Sequence, residues 1–262
     1  GVDAGGNAIA ANDYSGLGNV TFGHADAELV VTLGGATTLT GDMKSDNNTS
    51  KGIITVDSGA AHEIIFTGQM GDINDPADSL KAINVGKAGG DNGGAVGAAG
   101  KAKFTKTVHS AAINVGGAGG AGGAAAAGGD GGAGEVEYML AVKTTTLSVG
   151  GAGGAGAGVG KLGGIGGDGV AIFNQAVTID NGLLVGGKGG TAANAANAGK
   201  GGNGEVFFKS AVVVAGGDIE IGSDAGDGGG GDGGAAGTGK ITFENTLDAR
   251  GRNIYVGGDG GD

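Results

Sequence analysis

Apolar and polar residues alternate along this chain in short runs, and the runs return at a near-constant distance. Ile83-Asn84-Val85-Gly86, Ile113-Asn114-Val115-Gly116, Leu147-Ser148-Val149-Gly150, Leu183-Leu184-Val185-Gly186, Ile219-Glu220-Ile221-Gly222 and Ile254-Tyr255-Val256-Gly257 begin 30, 34, 36, 36 and 35 residues apart. A period-two pattern of this kind predicts strands with one buried face. A second family keeps the same rhythm: Phe104, Tyr138, Phe173, Phe208 and Phe243 are spaced by 34, 35, 35 and 35 residues. Val108, Val142, Val177, Val212 and Leu247 follow each of them at a fixed distance. In the fourth of these strands Val206 and Phe208 face one side, and Glu205, Phe207 and Lys209 the other. Lys106, Gln175, Ser210 and Asn245 interrupt the inward row and predict a bend or a polar ladder there. One unit is therefore strand, bend, strand and a glycine-rich segment.

Units of this size cannot bury their apolar side alone and must stack on their neighbours. Placing them in register sets Phe over Tyr over Phe and Val over Val in parallel pairing. The predicted fold is all-β, a parallel β-solenoid (β-helix) with coils about 4.8 Å apart. Residues 83–262 carry the repeats. Residues 1–82 read as plainer coils of the same solenoid, with strands at Asn19–Phe22, Glu28–Leu33, Thr38–Leu39, Ile53–Val56 and Glu63–Phe66. Asp42–Lys51 and Gly71–Ser79, the latter containing Pro76, read as protruding loops.

The glycine segments have their own period. From Gly116 the chain reads GGA GGA GGA AAA GGD GGA G, and from Gly186 GGK GGT AAN AAN AGK GGN G. A three-residue repeat matches a polyproline-II-type helix, which has no internal hydrogen bonds. Its backbone groups must then be satisfied by neighbours or water. Glycine on two sides of each turn allows the close approach that lateral bonding requires. The segments are thus predicted to form out-and-back arms, stacked one on the next, with mobile loops on the solenoid as the alternative. An isolated arm would not offset the ordering entropy of about 1–2 kcal/mol per residue; a stack can. Glycine makes up 69 of 262 residues, but with one proline and no strict G-X-Y repeat collagen is excluded.

Charge narrows the chemistry. A net charge of −12 argues against nucleic acid and anionic membrane surfaces as partners, and no apolar run reaches membrane-spanning length. GxGxxG recurs through composition alone and lacks the strand–glycine–helix setting of a dinucleotide site. His24, His62 and His109 fall in different repeats, and no Ser/His/Asp constellation stands out, so no enzyme is expected. Gly163–Ala171 matches the calcium nonapeptide GGxGxDxUx once, where a calcium β-roll uses tandem copies. Asp168, Asp227 and Asp232 are the calcium candidates, and no other cofactor is indicated. Solubility is the alternative role for these aspartates.

The two ends carry half-units. Gly257–Asp262 begins an arm that stops after two triplets, and Gly18-Asn19-Val20-Thr21-Phe22 parallels Gly239-Lys240-Ile241-Thr242-Phe243. Joining Asp262 to Gly1 would complete an arm of nearly full length. This fits either one segment of a longer tandem array or a subunit whose ends meet head to tail. The expected assembly interface is Gly1, Val2, Asp3, Val20 and Phe22 against Ile254, Val256, Gly257 and Asp262.

Gly52–Val56, His62–Gly68 and Lys240–Asn245 resemble passenger repeats of bacterial autotransporter adhesins, including the rickettsial type. That resemblance implies a right-handed parallel β-helix on a bacterial surface, without the family's translocating barrel. The glycine arms instead resemble mycobacterial PGRS-type surface proteins and glycine-rich antifreeze proteins. The expected function is an extracellular, non-enzymatic structural protein that self-assembles into a filament, sheath or surface layer. The alternative is a surface adhesin for a host receptor or glycan. Ice binding is less favoured because Lys, Asp and Asn join Ala at the third positions of the arms.

Overall fold

The computed structural model describes residues 18–32, 35–46, 50–91, 95–123, 126–156, 162–193, 198–226, 228–229 and 233–257. Its main pairings are parallel, and they close into a β-solenoid built of three columns of strands. The first column holds the ring-bearing strands, a seven-stranded sheet from Thr37–Leu39 and Glu63–Phe66 through Gly100–Phe104 to Gly239–Phe243. After a corner the chain enters a first limb and then a second. The two run as one strand in Val108–Val115, Val142–Val149 and Val177–Val185. Higher in the stack they separate, as in Val212–Val214 and Ile219–Ile221.

Alternation decides what enters the core. Along Gly134–Tyr138 the exposure pattern is in-out-in, with Val136 and Tyr138 buried and Glu135 outside. Equivalent residues then stack at each level. The rings of Phe66, Phe104, Tyr138, Phe173, Phe208 and Phe243 form a continuous column, with centroids 4.7 to 5.3 Å apart and planes within 19°. Offset stacking of this sort stabilises beyond simple burial. Leu39 underlies the column, paired with Phe66. Ile54, Ile83, Ile113, Leu147, Leu183 and Ile219 make a second buried row. Outside, Lys101–Glu135 and Lys103–Glu137 pair adjacent levels at 2.8 and 2.9 Å.

The uneven spacing of the repeats has two causes. The first arm runs only from Gly86 to Gly100, against Gly150 to Gly169 in the third. At the corner between the limbs, the register with Val177–Val185 slips between Thr144 and Thr146, so that strand carries an extra residue there. The solenoid absorbs both without losing the ring column.

Two expectations for the first coils are corrected. Met43–Ser45, placed by sequence in a loop, is a strand that pairs with Val20–Phe22, and its Met43 side chain is buried. Val20–Phe22 in turn belongs to the first limb, because its partner column continues through Met43 and Met70 to Val108. Phe22 is therefore buried in the first coil but is no member of the ring column. Gly71–Ser79 does leave the coil, as a turn with a short 3-10 segment at Pro76–Asp78 capped by the Asp75 side chain.

Candidate functional site: the arm slab and the open end

Each repeated tetrapeptide ends on a hinge. Gly86, Gly116, Gly150, Gly186, Gly222 and Gly257 have φ between 78° and 102°, a region that side chains rarely enter. At each hinge the chain swings out of the second limb and into an arm. Beyond the hinges, no described arm residue has positive φ, and the bonding follows the triplet. In the second arm the outgoing leg donates to its own return leg from Gly117 to Gly132 and from Gly120 to Gly129, both at 2.7 Å. Its intervening N–H groups at Gly119 and Gly122 donate to Ala152 and Ala155 of the third arm's outgoing leg at 2.8 Å. Gly167 and Gly164 of the third arm's return leg donate back to Gly117 and Gly120. Gly131 and Gly134 donate to Ile165 and Asp168 of that same return leg. Every interior leg thus bonds to legs above, below and across, and the arms form a two-layer slab beside the solenoid.

The slab explains the sequence triplet by triplet. A Cβ on Gly117 would lie 2.1 Å from the Lys87 carbonyl oxygen, and one on Gly154 2.0 Å from the Gly120 oxygen. Lys87 occupies the same triplet position in the first arm, below which no described arm lies, and its side chain pairs with Asp57 at 3.5 Å. Third positions face outward, with Ala118, Ala133, Ala152, Leu162, Ile165 and Asp168 exposed.

Asp168 has a definite partner there. Its Oδ1 accepts the Asn203 N–H of the next arm at 2.7 Å. Asp130 does the same for Ile165, Asp91 for Ala121, and Asn203 for Thr238. Outward N–H groups that no arm can reach are thus capped by a side chain one level down. Sequence reasoning gave these aspartates to solubility or calcium and missed the cap, although Asp130, Ile165, Lys200 and Asp168, Asn203, Thr238 recur at the slab's own period. Asp227 and Asp232 lie outside the described residues. Among the described residues no three His, Cys, Asp or Glu side chains gather where an ion could be held. His109 is a satisfied strand residue, its Nδ1 lying 2.6 Å from the Asp72 carbonyl oxygen.

The residues expected at an assembly interface sit at opposite ends of the stack. Gly1, Val2, Asp3 and Asp262 lie outside the described residues. Val20 and Phe22 belong to the first coil, whereas Ile254–Val256 pairs on one side only, with Ile219–Ile221. Ile254 and Val256 are 52% and 77% exposed, whereas Ile219 and Leu183 in the row below Ile254 are 1% exposed. Gly257 completes the hinge pattern, donating its N–H to Ile221 at 2.8 Å. Tyr255, also half-exposed, belongs to the same uncovered strand.

No helix among the described residues is long and apolar enough to cross a membrane. Compared with known proteins, the chain matches no family model, no curated protein and no solved structure.

Proposed function

We propose that this chain is a non-enzymatic structural protein of the cell surface or extracellular space that extends by stacking. The uncovered strand Ile254–Val256 is the observation that carries the reading. An edge with apolar inward residues and free ladder groups is a template for a further parallel strand. At the other end of the stack the same apolar row starts at the second-limb strand Glu28–Val31 and runs Leu29, Ile54, Ile83 upward to Ile254; there Leu29 and Val31 are 8% and 5% exposed. A second copy laid end on end would set Leu29 above Ile254 and Val31 above Val256. Such a contact is heterologous and does not close, so it propagates into a filament or sheath. Continuation of the same array within a longer chain would satisfy the edge in the same way.

Sedimentation velocity over a dilution series tests this reading. The native chain is expected to form concentration-dependent species larger than a monomer, and Val256→Asp to remain monomeric with an unchanged melting curve. A native chain that stays monomeric at every concentration, or a variant that assembles equally well, would contradict it.

A further inference from the structure

The outer face of the second limb meets the outgoing legs of the slab at a re-entrant corner, which the hinge glycines make sharp. The corner is a groove of about 570 Å³ that runs along the stack, because its floor comes from successive levels: Thr55, Asn84, Asn114 and Ser148. Its wall is the outward surface of the arms, carrying Ala118 and Ala152.

The floor is a polar ladder with an open top. Thr55 donates its hydroxyl to Glu28, Asn84 Nδ2 donates to Thr55 Oγ1 at 3.2 Å, and Asn114 Nδ2 donates to Asn84 Oδ1 at 2.9 Å. There the ladder stops. Among the described residues, Asn114 Oδ1 and the Ser148 hydroxyl have no side-chain hydrogen bond. Half-buried amide and hydroxyl groups of this kind are sites for a neutral polar ligand. The cations at the groove are already paired, Lys87 with Asp57 at 3.5 Å and Lys188 with Glu220 at 3.8 Å. With the chain at −12 overall, a polyanion is disfavoured. A peptide strand would find a sheet face at the floor, not an edge to which it could add.

We propose that this groove binds a linear, uncharged polysaccharide lying along the stack. Its hydroxyl or acetamido groups pair with Asn114 and Ser148, and its C–H surface lies on the methyl groups of Ala118 and Ala152. The wall repeats from level to level at Ala118 and Ala152, so a polymer of like sugars meets the same methyl surface at each. The ligand is a different molecule from the second copy that extends the stack, and the site lies on the side of the solenoid, away from its ends.

Isothermal titration of the intact chain tests it with three probes: a cello-oligosaccharide, a chito-oligosaccharide and an oligogalacturonate. At least one of the two uncharged oligomers is expected to bind, and the oligogalacturonate not to. Ala152→Arg, at an exposed position whose Cβ points out of the slab, should weaken binding by about tenfold or more while leaving the melting curve unchanged. Ser148→Ala should weaken it less, with the fold intact. Failure of both uncharged oligomers to bind, binding of the acidic oligomer alone, or equal binding by the native chain and Ala152→Arg would each overturn the assignment.

Discussion

Tyr138 is the one ring in the core column that carries a hydroxyl, and that hydroxyl is buried with no hydrogen-bond partner among the described residues. A buried polar group left unpaired costs about 1–3 kcal/mol. Tyr138→Phe keeps the ring and the stacking and removes the orphan, so it is expected to stabilise the fold by about 1–2 kcal/mol in a denaturant melt. The same burial pushes the phenol's pKa far above its ordinary value of about 10. The sign follows directly: below pH 10 both states are protonated, and above it only the unfolded state ionises. Stability should therefore fall as pH rises past about 10, by up to about 1.4 kcal/mol per unit from this residue. That part of the alkaline loss should vanish in Tyr138→Phe. Glycines of the slab give the opposite lesson, because their neighbours are backbone and cannot move aside singly. Gly154→Ala should destabilise by about 1–3 kcal/mol, whereas Ala152→Ser, two residues away and exposed, should stay within about 0.5 kcal/mol of the native chain. Equal effects at the two sites in thermal melts would contradict the slab.

An arm is stable only as a member of a stack, since each of its legs has its polar groups satisfied by other legs. The aspartate caps belong to this scale. Asp168→Ala frees the Asn203 N–H and is expected to cost about 0.5–1.5 kcal/mol, with faster amide exchange at Asn203 than at the Gly202 N–H, which bonds inside the slab to Gly151. Unchanged exchange at Asn203 would show that the cap does not hold. The triplet period was legible in the sequence because only glycine permits two crowded sides per turn. The same period made legs and their outward third positions readable at Ala118 and Asp168. The caps were not, because an aspartate in a glycine tract has the same local pattern whether it points at water or at the next arm. Met43–Ser45 escaped for a related reason: one apolar side chain between aspartates looks like a loop until its partners at Val20 and Met70 are known. Gly18–Phe22 shares its Gly, Thr and Phe positions and its apolar alternation with Gly239–Phe243, yet which column a strand joins is set by its neighbours, which local alternation does not encode.

At the scale of the molecule, the solenoid has sides that are largely self-satisfied and an end that is not. Salt bridges between levels, capped N–H groups and net negative charge all limit lateral sticking. The strand at Ile254–Val256 has none of these protections. Its inward residues match the row that begins at Leu29, and the outward row runs Val30, Thr55, Asn84, Asn114, Ser148, Leu184, Glu220 and Tyr255. End-on-end stacking therefore places Tyr255 of one copy beside Val30 of the next, at a separation that a disulfide spans. The chain contains no cysteine, so an introduced pair reports only on itself. The most direct measurement is oxidative cross-linking of the Val30→Cys, Tyr255→Cys double variant, read on a denaturing gel beside the two single variants. Head-to-tail stacking predicts a ladder of dimers, trimers and higher multimers from the double variant alone. A double variant that stays monomeric, or a Tyr255→Cys single variant that gives the same amount of dimer and nothing larger forms in either, would contradict it.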